Sequence, residues 1–153
     1  AFGEMFERLF DGGETELKLT DENHPLEGGV EIFVRLPGKR IQHLLVLSGG
    51  ERAKVAIALL FAMLKVNPSP FCLLDEIDAA LDDANTERFG DILEEFAKNI
   101  QFIVITHNPH TMERVDRLHG ITMQEPGISK VISVRLEDAQ RQAEQQTQVA
   151  VAD

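Results

Sequence analysis

The sequence predicts an α/β fold, and three observations predict it. Phe71-Cys72-Leu73-Leu74 and Phe102-Ile103-Val104-Ile105 are continuous rather than alternating apolar runs, as expected of strands covered on both faces in a parallel sheet. Between them Phe89, Ile92, Leu93 and Phe96 recur at helical spacing, behind a stretch from 82 to 85 that can cap a helix. Ahead of both runs, Ala53, Ala56, Ile57, Leu60 and Leu64 form another helical pattern, with small residues on one side that allow close packing on a sheet. Buried, mainly parallel strands flanked by helices are the arrangement that satisfies all of these patterns.

The remaining elements follow in chain order. Residues 2–10 place Phe2, Met5, Phe6, Leu9 and Phe10 at helical spacing, which predicts an amphipathic opening helix without a capping residue. Asp11-Gly12-Gly13 breaks it. Residues 16–20 and 30–36 alternate with period two, the mark of half-buried strands, and the loop 21–29 joins them as an antiparallel pair. Pro37-Gly38-Lys39-Arg40 makes the next turn, and residues 41–47 lead into Ser48. The helix that starts at Glu51 ends at Asn67-Pro68-Ser69-Pro70. After the second apolar run, residues 109–117 read as a short helix started by Pro109. Residues 120–124 and 130–136 read as strands around the turn Glu125-Pro126-Gly127. Beyond Glu137 the composition turns to Gln and Ala with a weak apolar pattern, which predicts a frayed helix or disordered tail.

Composition narrows the function. At 153 residues and 43% apolar the chain suffices for one ordinary core. A net charge of −11 excludes the broad basic footprint that drives binding to a phosphate backbone. The only cysteine, Cys72, lies inside an apolar run, so no internal disulfide forms; it reads as a small buried hydrophobe in a reducing compartment. Apolar stretches are broken by charge well short of a membrane span, and no signal peptide is recognisable, so the sequence predicts a soluble, intracellular protein with no membrane partner.

The chemistry-bearing residues cluster at the ends of the predicted elements. Ser48-Gly49-Gly50 stands directly before a helix and offers a hydroxyl, unpaired backbone N–H groups and the positive end of a helix dipole, a surface suited to a γ-phosphate; an ordinary Ser cap after a glycine turn has the same sequence. Asp75-Glu76 puts two carboxylates at the carboxyl end of a strand, where ligands bind in open α/β sheets. In phosphate-loop enzymes an Asp there helps to hold Mg²⁺, and a neighbouring Glu can orient or deprotonate the attacking water. Two solvated acids at a strand end are the plain alternative. His107 follows the second strand and so shares that edge, within reach of a γ-phosphate, although a lone histidine there is more often a structural hydrogen-bonder. His24, His43, His110 and His119 are read as structural, and no Cys/His spacing suits zinc. Ala79-Ala80-Leu81-Asp82 makes a tight connection between the carboxylates and the next helix. One expected part has no match: the phosphate loop, six positions from Gly to Gly-Lys and then Ser or Thr. The single Gly-Lys, Gly38-Lys39, has Phe33 in place of the leading glycine and Arg40 in place of the hydroxyl.

Taken in order, Leu47-Ser48-Gly49-Gly50-Glu51, the Walker B run Leu73-Leu74-Asp75-Glu76, Asp78-Ala79-Ala80-Leu81-Asp82-Asp83-Ala84-Asn85, Ile105-Thr106-His107 and the stretch 120–136 resemble the C-terminal half of the ATP-binding-cassette head of structural maintenance of chromosomes (SMC) proteins, bacterial condensin type. The resemblance implies the C-terminal lobe of such a head at 11–137, with residues 1–10 as the end of a coiled-coil arm and 138–153 as tail. It implies ATP and Mg²⁺ as cofactors, and a cytoplasmic, nucleoid-associated ATPase active only in a complete head dimer. Leu47, Ser48, Gly49, Gly50 and Glu51 would contact the γ-phosphate of ATP held by a second head. Asp75 would hold Mg²⁺ through water, Glu76 the attacking water, and His107 the γ-phosphate, while Asp82 would communicate across the dimer. The implied partners are an N-terminal head segment carrying the phosphate loop, a second head, a kleisin subunit of the ScpA type docking by its winged-helix domain on 120–136, and DNA through the full complex. A coiled-coil DNA-repair ATPase head is the alternative within the superfamily. A transporter's nucleotide-binding domain would need a helical subdomain before Leu47, where a strand pair is predicted, and a pure interaction module would need none of the chemistry.

Overall fold

The computed structural model describes residues 1–135, which fall into two compact units, residues 1–108 and the segment from Pro109 onward. The first unit opens with helix α1 (Phe2–Phe10), whose Phe2, Met5, Phe6 and Leu9 are all buried. Asp11 adopts a left-handed conformation (φ 59°, ψ 49°) and stops the helix. Strands β1 (Glu14–Leu19) and β2 (Val30–Arg35) pair antiparallel from Glu14↔Arg35 to Leu19↔Val30, and β3 (Gln42–His43) adds to the free edge of β2. Gly13 must be glycine where α1 meets this sheet. It has φ +94°, and a Cβ would stand 2.8 Å from the Phe6 ring and against the Arg35 carbonyl.

A 3-10 turn (Leu44–Val46) leads into α2 (Gly49–Val66), then β4 (Phe71–Asp75), a second 3-10 turn (Ile77–Ala80), α3 (Asp83–Ala97) and β5 (Gln101–Ile105). Strands β4 and β5 pair in parallel, residue for residue from Phe71↔Gln101 to Asp75↔Ile105. One core runs through the unit. Phe61 is fully buried at its centre, with the rings of Phe96, Phe89 and Phe102 at 5.3, 5.9 and 6.3 Å. Helix α1 belongs to this core and is fastened at its rim by Glu4 to Lys65 and Arg8 to Glu95.

Two expectations about packing are corrected here. The helix after Ser48 buries Val55, Ile57, Ala58, Phe61, Ala62 and Leu64, whereas Ala56 is exposed, so the small residues of its contact face are Ala58 and Ala62, set among larger ones. The strands are not covered on both faces. Leu74 is buried and Cys72, Phe102 and Val104 pack on the core, but Phe71, Leu73, Ile103 and Ile105 of the opposite face are 58, 57, 51 and 49% exposed. A two-stranded sheet alternates its side chains, and the helices among the described residues cover one side only. Cys72 is accordingly half-buried, with its thiol pKa pushed up by desolvation.

The second unit contains a single helical turn, α4 (Pro109–Met112), in place of the expected helix over 109–117. Arg117 already belongs to β6 (Arg117–Glu125), which pairs antiparallel with β7 (Ile128–Arg135), with a register shift between Met123 and Glu125. The β-branched residues of this hairpin outweigh the start signal of Pro109. Ile121, Met123, Ile128, Val131 and Ile132 are exposed. The expectations for Leu136 and for the tail at 138–153 lie outside the described residues. Among the described residues no helix is long and apolar enough to cross a membrane.

Candidate functional site

Leu47 is buried and anchors the turn that precedes α2, and Ser48 caps that helix. The capping is reciprocal. The Glu51 N–H donates to Ser48 Oγ (3.4 Å), while Glu51 Oε2 accepts both the Ser48 N–H (3.0 Å) and the Ser48 hydroxyl (2.7 Å). Lys39 completes the cluster by donating from Nζ to Glu51 Oε1 at 2.7 Å. Lys39, then the Ser48 hydroxyl and backbone N–H, hold the Glu51 carboxyl at about 2. Gly49 and Gly50 are exposed, and a Cβ on Gly49 would meet nothing within 4 Å. The described fold has no steric need for that glycine, although glycine in a helix costs about 0.5–1 kcal/mol relative to alanine. Its missing side chain leaves backbone N–H groups open to an anion approaching from solvent.

Asp75 and Glu76 lie at the carboxyl end of β4, both exposed. Glu76 is one of two non-glycine residues with positive φ among the described residues (φ 47°, ψ 28°). That conformation costs on the order of 1 kcal/mol and persists because the Glu76 N–H donates to the Ile105 carbonyl at 2.9 Å. The turn aims Glu76 across the strand ends toward His107, with Oε1 3.8 Å from Nδ1. This is too long for a direct hydrogen bond, and both side chains face solvent. Among the described residues, the Asp75 side chain has no hydrogen-bond or ion-pair partner. The structure therefore brings Glu76 and His107 together. It joins neither of them, nor Asp75, to the Ser48 turn by any hydrogen bond or ion pair.

A polar brace behind the strand ends had no weight in the sequence reading. Asp78, only 2% exposed, accepts the Thr106 hydroxyl at 2.6 Å, and Thr106 Oγ1 accepts the Asn108 N–H at 2.9 Å. The Asn108 side-chain amide reaches Thr86 Oγ1 (3.4 Å), and the Thr86 hydroxyl donates to the Asp82 carbonyl (3.0 Å). The Asp82 carboxylate caps α3 through the Asn85 N–H and lies 3.5 Å from Lys54 Nζ. Its pKa is lowered, first by that backbone hydrogen bond. A continuous path thus runs from the residue before His107 to Asp82. Buried polar residues in the α3 stripe, Asn85 and Thr86, were the available sequence signal.

The donor set suits a magnesium ion that arrives with a nucleotide. Among the described residues no group of three His, Cys, Asp or Glu side chains forms a metal cage. The Asp75 carboxylate, without a partner among the described residues, fits an ion that typically takes one or two carboxylates and draws its other ligands from phosphates and water.

An acid pair and a histidine thus stand at adjoining parallel strand ends, with a Ser-Gly-Gly helix start in the same α/β unit. The chain belongs to the RecF/RecN/SMC N terminal domain family, whose model matches residues 5–130. It is 58% identical over 137 residues to chromosome partition protein Smc of Bacillus subtilis (strain 168), covering 90% of this chain and 12% of that protein. A structure of the Smc head domain with an extended coiled coil, bound to the C-terminal domain of ScpA derived from Pyrococcus furiosus, superposes with a TM-score of 0.84 at 43% identity, over 94% of this chain and 36% of that one. A chain from a study of ATP-driven dimerization and DNA stimulated activation of SMC ATPases matches with a TM-score of 0.79 at 42% identity, over 94% of this chain and 87% of that one. The fold is thus the mixed α/β fold of an SMC head domain.

Proposed function

We propose that this chain is the C-terminal half of the ATPase head of a chromosome-organising SMC protein and hydrolyses ATP only when a phosphate-loop segment completes the site. The observation that carries this reading is the Glu76–His107 pair, 3.8 Å apart at the carboxyl ends of β4 and β5. Glu76, held by its left-handed turn, orients the attacking water and receives its proton. His107 donates to the γ-phosphate. Mg²⁺, held by Asp75 through water, would neutralise charge developing on the β- and γ-phosphates. The phosphate loop comes from an N-terminal segment that packs on the apolar Phe71, Leu73, Ile103 and Ile105 face, which needs a cover of this kind.

Ser48-Gly49-Gly50, flanked by Leu47 and Glu51, receives the γ-phosphate from a second head, so one chain serves two ATP sites in an ATP-dependent homodimer. The Asp78–Thr106–Asn108–Thr86 path links His107 to Asp82, which faces the dimer partner. Residues 1–10 are the end of a coiled-coil arm, and 11–137 make up the lobe. A kleisin of the ScpA kind docks its C-terminal domain on the exposed hairpin around Met123 and Ile128, in keeping with the ScpA complex of the related head. DNA is engaged by the full assembly, in the cytoplasm and at the nucleoid.

The test is ATP turnover by this chain with and without the N-terminal segment of an SMC head. Turnover is expected only in the mixture. Glu76→Gln is expected to lower the rate by about 10²–10⁴-fold while ATP still binds. Hydrolysis by the chain alone, or full turnover in the Glu76→Gln mixture, overturns the reading.

A further inference from the structure

Gly38-Lys39 does not match the phosphate-loop pattern, and the structure gives Lys39 a position of its own. Leu36-Pro37-Gly38-Lys39 is a tight turn with Gly38 at φ +72° and the Lys39 N–H on the Leu36 carbonyl at 2.9 Å. Proline followed by a left-handed glycine is the type II pattern, which presets the backbone and fixes where the Lys39 side chain starts. From there Nζ reaches Glu51, twelve residues on, at 2.7 Å. The other carboxylate oxygen of Glu51 is occupied by the Ser48 N–H and hydroxyl.

This geometry poses an electrostatic problem for the phosphate contact. Under the reading that Ser48 meets the γ-phosphate of a second head, a multiply charged anion must come within hydrogen-bonding distance of a hydroxyl that is itself 2.7 Å from a carboxylate. Like charges at such separations repel appreciably even near the surface. We propose that Lys39 is the counter-charge that makes the Ser48 turn receptive: it neutralises Glu51, so that the phosphate of the partner head meets a helix start of no net negative charge. Glu51 takes the Ser48 N–H and its one hydroxyl proton and so fixes the turn, the phosphate meets the first-turn N–H groups of Gly49 and Gly50, and Lys39 makes the presence of Glu51 tolerable. The proposal rests on the trans-phosphate reading above.

The test uses the assembled head, this chain with its phosphate-loop segment, in a Glu76→Gln background that slows turnover. Sedimentation with Mg²⁺-ATP measures the dimer dissociation constant. Removing one partly exposed charge partner is expected to cost about fivefold per site and, because two such sites close in a symmetric pair, about 25-fold in that constant for Lys39→Ala. Adding Glu51→Gln to Lys39→Ala removes the uncompensated charge and is expected to restore dimerisation to within about threefold. Higher salt should narrow the gap between Lys39→Ala and its parent. If the parent forms ATP-dependent dimers and Lys39→Ala matches it, the proposal falls and the phosphate reading stands. If the double variant is as weak as Lys39→Ala or weaker, Lys39 acts by holding the turn in shape and the proposal falls. If the parent forms no ATP-dependent dimer, the phosphate reading fails and takes the proposal with it.

Discussion

Thr106→Val tests whether the brace behind the strand ends holds them together. Valine keeps the shape of threonine and deletes one oxygen. That oxygen donates to the buried Asp78 carboxylate at 2.6 Å and accepts the Asn108 N–H at 2.9 Å. A hydrogen bond to a charged group contributes about 1.5–3 kcal/mol and a neutral one about 1 kcal/mol. The expected loss is therefore roughly 2–4 kcal/mol, a large share of the stability of a domain this size. Thr106→Ser keeps both bonds and loses one half-buried methyl, which should cost less than about 1 kcal/mol. The chain has no Trp or Tyr, so urea unfolding is best followed by far-ultraviolet circular dichroism. With a denaturant slope of about 2 kcal/mol/M, the valine variant should unfold at a urea midpoint lower by about 1–2 M. A valine midpoint within about 0.25 M of the parent, or a serine variant as unstable as the valine one, would refute the reasoning.

Two further outcomes are expected. Glu51 is held at about 2 against an ordinary 4.5, so its contribution is complete above pH 4.5 and drains away as pH falls toward 2. Glu51→Gln should thus be less stable than the parent near neutrality, by on the order of 1 kcal/mol once solvent screening is allowed for. That gap should close between pH 4.5 and 2 in a urea titration series; a constant gap would assign the loss to packing. Phe61→Ala opens a cavity where the Phe89, Phe96 and Phe102 rings converge and should cost about 3–5 kcal/mol, seen as a sharply lowered thermal midpoint.

Local chemistry made much of this protein legible. Ser48 and Asp82 cap helices because short oxygen-bearing side chains satisfy the free N–H groups of a first turn, and that rule operates within four residues. The Phe2–Phe10 helix follows from periodicity and the two apolar strands from unbroken apolar runs, both properties of consecutive side chains. The order of the signature turn, the acid pair and the histidine is also a one-dimensional fact, and it carried the family resemblance.

Coverage and long-range pairing were not legible in the same way. A run such as Phe71-Cys72-Leu73-Leu74 announces that both faces are apolar, not which elements lie over them; only the packed chain leaves Phe71 and Leu73 open while Leu74 is buried. Pro109 signalled a helix start, but the helix stops after one turn at Met112, and the expected last residue, Arg117, is paired in β6 instead. Asp78 and Thr106 are 28 residues apart, and Lys39 and Glu51 are twelve. Such bonds depend on where two turns come to rest in space. The sequence by itself determined which chemical groups this chain owns and the elements that carry them. Tertiary structure decided which carboxylate meets which cation or hydroxyl, because charge and hydrogen bonding act over a few ångströms of space, irrespective of distance along the chain.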